Sequence, residues 1–122
     1  LEGIALNLAW LLPFVEQAAD AAWPFLRFGG GGAQSDLWAQ VLADALDRPV
    51  HQLHEPRATN ARGAAFLAFA ELGTIDIDDV PSLLRVRAVY EPQPATRSTY
   101  AAALHHLTSL HPTLATLSRS RS

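Results

Sequence analysis

Phe25-Leu26-Arg27-Phe28, then Gly29-Gly30-Gly31-Gly32-Ala33-Gln34-Ser35, then Asp36 to Leu46: an apolar run, a glycine-rich turn and an amphipathic segment follow one another without interruption. This reads as strand, turn and helix. Consecutive glycines mark a place where the backbone needs positive φ or where another body approaches it closely, because no Cβ stands in the way. Ser35 suits an N-cap, and Asp36 places a carboxylate at the positive end of the helix dipole. A glycine-rich turn that opens a helix presents free N–H groups, which suit a phosphate or the ribose end of a nucleotide. The same residues serve equally as a corner that only lets the chain reverse.

Downstream, Asp47-Arg48-Pro49 is a turn and Val50-His51-Gln52-Leu53 a second short strand, so residues 25–53 form a β-α-β unit, expected to be parallel and right-handed. On its helix, Leu37, Trp38, Val41, Leu42, Ala45 and Leu46 make the expected buried face, and Asp36, Gln40 and Asp44 a solvated one. Two phosphate motifs are testable. A P-loop needs a lysine, and every basic residue of this chain is arginine. The dinucleotide fingerprint fares better, with Gly30 and Gly32 in its first two positions and Glu55 at the distance of a ribose-binding acid, but Ser35 stands at its third glycine.

Upstream, Ile4, Leu8, Leu11, Leu12, Val15, Ala19 and Ala22 follow helical spacing and predict one long core helix, with Pro13 kinking or breaking it. Glu2, Asn7, Glu16, Gln17 and Asp20 interrupt the segment, and no basic residue precedes it, which argues against a membrane span or signal peptide. Downstream, a third helix is expected over about Thr59 to Leu72, capped by Thr59 or Asn60 and stopped by Gly73. Gly63 inside it implies a close neighbour, either a packed element or the ligand of the glycine turn. Thr74 to Leu84 reads as an acidic loop with one helical turn, and Arg85 to Tyr90 as a short extended segment. A last helix begins near Pro94 with Tyr100, Leu104, Leu107 and Leu110 or His111 on its apolar stripe, until Pro112 stops or kinks it. Neither the pair His51 and His54 nor the pair His105 and His106 shares a face, so no metal site is expected.

The chain's 122 residues, 49% hydrophobic and 17% charged, fit one small folded domain or part of a larger one. A net charge of -3, with scattered arginines, leaves no footprint for nucleic acid. The absence of cysteine gives no reason for secretion, so the cytoplasm is the default location. Because the chain opens on Leu1 and holds no methionine, an upstream portion is expected to exist elsewhere.

The order of these features resembles one family, the FGGY carbohydrate kinases, and within it the C-terminal domain of the xylulokinase type. The likeness is carried by Leu1-Glu2-Gly3-Ile4-Ala5, Gly30-Gly31-Gly32-Ala33-Gln34-Ser35, Leu37-Trp38-Ala39-Gln40, Ala43-Asp44, Arg48-Pro49-Val50, Gly63-Ala64-Ala65 and Tyr90-Glu91-Pro92, and runs almost end to end. It implies an α/β, ribonuclease H-like (actin-like ATPase) C-terminal domain portion over residues 1–117, with a polar tail at 118–122. It implies ATP or ADP in the cleft between two domains, accompanied by Mg2+, with a pentulose such as D-xylulose held by the other domain. By position it makes Gly31, Gly32, Ala33, Gln34, Ser35 and Asp36 nucleotide-binding. Asp36 departs from the asparagine of several relatives, and a carboxylate there repels phosphate while accepting from a ribose hydroxyl or an adenine amino group. The general base that takes the sugar's proton is implied to lie upstream, so no residue here is expected to be catalytic. Alone, the chain is expected to be inactive and to associate with itself through apolar surface left uncovered. A dinucleotide-binding module and a non-catalytic interaction domain remain as readings from other classes.

Overall fold

The computed structural model describes residues 1–119. Helix α1 spans Glu2–Ala18, strand β1 Leu26–Phe28, α2 Asp36–Leu46, β2 Val50–Leu53, α3 Thr59–Glu71, α4 Val80–Leu83, β3 Val86–Tyr90 and α5 Arg97–Arg119. Short 3-10 turns at Gly31–Gln34, Pro56–Ala58 and Ile77–Asp79 lead into α2, α3 and α4. The sheet runs in the order β1-β2-β3. β1 and β2 are parallel, with Leu26 opposite Val50, as a strand-helix-strand crossover requires. β3 returns antiparallel, with Tyr90 opposite Val50.

The core is small and rich in alanine: Ala39, Leu42, Ala43 and Ala45 of α2, Val50 of β2 and Ala5 of α1 are buried together, with Phe28, Trp38, Tyr90 and Tyr100 packed around them. Side chains that end at Cβ let helix axes approach closely, and α1 lies against α2 through this alanine surface. That geometry overturns one expectation. Ile4, Leu8, Leu11 and Val15 of the predicted stripe are 43–59% exposed, while Ala5 and Ala9 beside them are the buried residues. Periodicity finds the most apolar arc of a helix but not the arc that has a neighbour. Nor does Pro13 divide the segment; α1 continues through it as one helix.

Three further corrections concern α2, α3 and α5. Leu37, expected inside, is 66% exposed, and Asp44, expected on a solvated face, is only 8% exposed. The Asp44 Oδ1 accepts from Gln93 N at 2.8 Å and Gln40 Nε2 at 3.0 Å, so the segment after β3 closes over this face and the buried carboxylate is satisfied. Thr59 is the first residue of α3 rather than its cap, and no atom stands within 4 Å of where a Gly63 Cβ would be. Gly63 therefore fills no close approach. Gly73 does end α3, at φ 67, donating to Ala70 O at 2.9 Å. Helix α5 starts at Arg97 rather than near Pro94 and continues past Pro112 to Arg119. It is anchored by Arg97, whose Nη2 lies 2.8 Å from Asp47 Oδ1 at the end of α2. Residues 120–122 of the expected tail lie outside the described residues. Among the described residues, no helix is long and apolar enough to cross a membrane.

Candidate functional site

In open α/β sheets the carboxyl ends of parallel strands face a common crevice, and here the two turns at that end are bonded to each other. After β1 the chain passes through Gly29 and Gly30. Gly30 sits at φ 95, ψ -174, a conformation essentially reserved for glycine. Its N–H donates to Pro56 O at 2.8 Å and to Thr59 Oγ1 at 3.3 Å, both in the segment that follows β2. Thr59 Oγ1 in turn donates to Pro56 O at 2.7 Å. A Cβ on Gly29 would stand 2.5 Å from that hydroxyl oxygen, so the close approach belongs to Gly29 and Thr59.

The next four residues wind into the 3-10 turn, closed by Ala33 N to Gly30 O and Ser35 N to Gly32 O, each at 3.2 Å. As the first residues of a helical turn, Gly31 and Gly32 find no acceptor for their N–H groups within it. Ala33 is fully buried, and its side chain anchors the turn in the core. Gln34 folds back, Nε2 to Gly31 O at 3.1 Å. Ser35 caps α2 as expected, accepting from Trp38 N at 3.2 Å, so its Oγ is already engaged. The Trp38 indole lies under the turn, edge-on to Phe28 with ring centroids 6.2 Å apart.

Asp36 stands at the mouth of this turn. Its Oδ1 accepts from Gln52 Nε2 at 3.2 Å and lies 3.4 Å from Arg87 Nη2. The Gln52 hydrogen bond, with help from the Tyr90 hydroxyl and Arg87, holds the carboxyl below its usual 3.8. Burial pushes the Tyr90 hydroxyl above its usual 10.0, and the neighbouring carboxylate adds to that. Asp36 is therefore a fixed, ionised acceptor near neutral pH. Of the six residues singled out in the sequence, Gly31, Gly32, Gln34, Ser35 and Asp36 are exposed together at the carboxyl end of β1, and Ala33 is buried beneath them. Gln52, Thr59, Arg87 and Tyr90 hold the turn and its carboxylate in place and were missed. Only Gln52 left a signal: it shares a strand face with Val50, and an amide at a core position needs a polar partner.

Glu55, the alternative ribose acid, adopts φ 48 and is exposed, with its carboxylate 3.9 Å from Arg62 Nη2 beside α3. It lines a cavity of about 280 Å³ with His54, Arg62, Leu83 and Arg85. His51 stacks on Phe25 at 4.1 Å. Among the described residues, no three histidine, aspartate or glutamate side chains converge on a metal position.

Comparison with known proteins gives a consistent result. Residues 1–72 match the FGGY family of carbohydrate kinases, C-terminal domain. The glycerol kinase of Citrifermentans bemidjiense is 36% identical over 95 residues, covering 76% of this chain and 19% of that protein. The apulose kinase of Pectobacterium atrosepticum is 37% identical over 93 residues, covering 75% and 18%. The crystal structure of xylulose kinase from Rhodospirillum rubrum superposes with a TM-score of 0.71 at 26% identity, covering 95% of this chain and 24% of that one. Gluconate kinase from Lactobacillus acidophilus gives 0.74 at 25% identity, covering 93% and 23%. The chain thus spans about a fifth of the length of the curated relatives it matches, and its fold is the actin-like, ribonuclease H-like one of these kinases.

Proposed function

The chain belongs to the FGGY family of carbohydrate kinases, and from that premise we propose that residues 1–117 are the nucleotide-binding portion of an enzyme that transfers the ATP γ-phosphoryl group to a sugar hydroxyl. The observation that carries this is the glycine turn at the carboxyl end of β1, bonded through Gly30 to the segment after β2 and opening onto an ionised Asp36.

In this reading the exposed Gly31 and Gly32, which carry no side chain, let the backbone meet the adenosine and α-phosphate closely, and the buried Ala33 seats the turn that presents them. Gln34 and Ser35 shape the turn through their own bonds to Gly31 and Trp38. Asp36, an acceptor without a proton of its own, accepts a hydrogen bond from a ribose hydroxyl or an adenine amino group. Arg87 offsets part of the charge it would present to phosphate. Phosphoryl transfer relies on positioning and charge stabilisation, with a base to take the hydroxyl proton. That base and the sugar contacts are assigned to parts of the enzyme beyond these residues. Mg2+ is taken to accompany the nucleotide phosphates. D-xylulose is the proposed sugar, by the resemblance of the motifs alone. A cytoplasmic location goes with the use of ATP.

The test is titration of the isotope-labelled chain with ADP. Amide shifts concentrated on residues 30–36 are expected, together with no sustained phosphorylation of D-xylulose, glycerol or gluconate by the chain alone. Shifts produced by NAD but not ADP would favour a dinucleotide module, and a response to neither would leave an interaction domain. Turnover by the chain alone would overturn the division of labour.

Self-association is also proposed. Leu1, Ile4, Leu8, Leu11, Phe14 and Val15 expose apolar surface along a single helix, each 43–60% accessible. Sedimentation should show mass rising with concentration, and a strictly monomeric species at high concentration would contradict it.

A further inference from the structure

Gln52 shares a strand face with Val50, yet its side chain is spent on the glycine turn. It is fully buried, at 0% exposure. Its Nε2 donates to Ala33 O at 2.8 Å and to Asp36 Oδ1 at 3.2 Å, so both amide hydrogens are committed to the turn and its first helical residue. Two acceptors around one atom fix which end of the amide faces them. The other end, Oε1, is buried without a hydrogen-bond partner. A leucine would fill this core position without a stranded Oε1 but would leave the buried Ala33 carbonyl without its donor, so the amide is explained by what it holds.

We propose that Gln52 is a positioning residue of the nucleotide site: it pins the Ala33 carbonyl inward and the Asp36 carboxylate at the turn mouth, so the site is set before nucleotide arrives. This rests on the nucleotide-binding reading above. Because a peptide group is planar, fixing the Ala33 carbonyl also fixes the plane of the Ala33-Gln34 peptide. The turn then cannot rotate its peptides to follow water. Binding to a preset site avoids the ordering cost that a loose turn would add.

The charged and titratable groups around this brace are Asp36 from α2 and Arg87 and Tyr90 from β3, with Gln52 the neutral member from β2. That setting makes Gln52→Glu informative. At neutral pH it sets an acceptor against the Ala33 carbonyl and a second negative charge against Asp36, and such a pair titrates as a unit with one raised pKa. Protonation restores one of the two donor hydrogens in nearly the same shape.

The experiment follows the Asp36 carboxyl carbon by NMR across a pH titration of the nucleotide-free chain, and then ADP affinity, for the wild type, Gln52→Leu and Gln52→Glu. Expected for folded Gln52→Leu is an Asp36 midpoint moved up toward the usual 3.8 and an ADP affinity weaker by about tenfold or more, since both hydrogen bonds to the turn are lost. Expected for Gln52→Glu is a similar loss near pH 8, relative to wild type at the same pH, recovering in part toward about pH 5. An unchanged Asp36 midpoint in a folded Gln52→Leu chain, or a loss in Gln52→Glu that ignores pH, overturns the proposal. Where Gln52→Leu does not fold, Gln52→Glu carries the test alone. A wild type blind to ADP, with an Asp36 midpoint that still moves on substitution, keeps the brace and rejects the nucleotide reading.

Discussion

Gly30→Val is expected to destabilise the chain by about 1–3 kcal/mol, the range for a side chain forced into a conformation of this kind, and to weaken ADP binding sharply. Gly30 holds φ 95 and ψ -174, and nothing stands within 4 Å of the position a Cβ would take. The effect is therefore one of backbone conformation and not of crowding. Relief of the strain requires Gly30 to rotate, which withdraws its N–H from Pro56 O and Thr59 Oγ1 and separates the turn after β1 from the segment after β2. Both turns contribute to the proposed crevice, so affinity should fall with stability. Gly31→Ala is the control for stability, since Gly31 has neither a positive φ nor a neighbour within 4 Å. Thermal unfolding and ADP titration of the two variants decide the matter. A Gly30→Val chain as stable and as responsive to ADP as wild type would show that the turn does not hold this conformation.

Leu42→Ala should have the larger effect on stability, about 2–5 kcal/mol, the usual range for removing a buried leucine and leaving a cavity. Leu42 is 5% exposed and sits among Ala39, Ala43, Ala45 and Val50, where little bulk is available to collapse into the space. In so small a core one leucine is a large share of the buried apolar volume. Leu37→Ala, on the same helix, should change stability by no more than about 0.5 kcal/mol, as expected of a surface substitution, because Leu37 is 66% exposed. Sequence periodicity assigns both leucines to one buried face, so denaturant midpoints for the pair separate the pattern from the packing. Equal effects would mean that α2 is rotated from the orientation described.

These contrasts show how far the residues alone could lead. Local chemistry was legible: four glycines dictated a turn, Ser35 a cap, and the apolar runs at 25–28 and 50–53 a pair of strands, because each depends on neighbours in the chain. The order and spacing of the same residues placed the chain among the FGGY kinases and singled out the turn from Gly31 to Asp36. Tertiary structure decided which apolar arc of α1 meets α2, why Asp44 is buried, and that Gly63 fills no close approach while Gly29 does. It also brought Gln52, Arg87 and Tyr90 to Asp36. Those contacts join residues from separate elements, and no spacing along one helix or strand encodes them. The sequence determined the turn, its helix and its family; only the packing of β2 and β3 against that turn determined how its carboxylate is held.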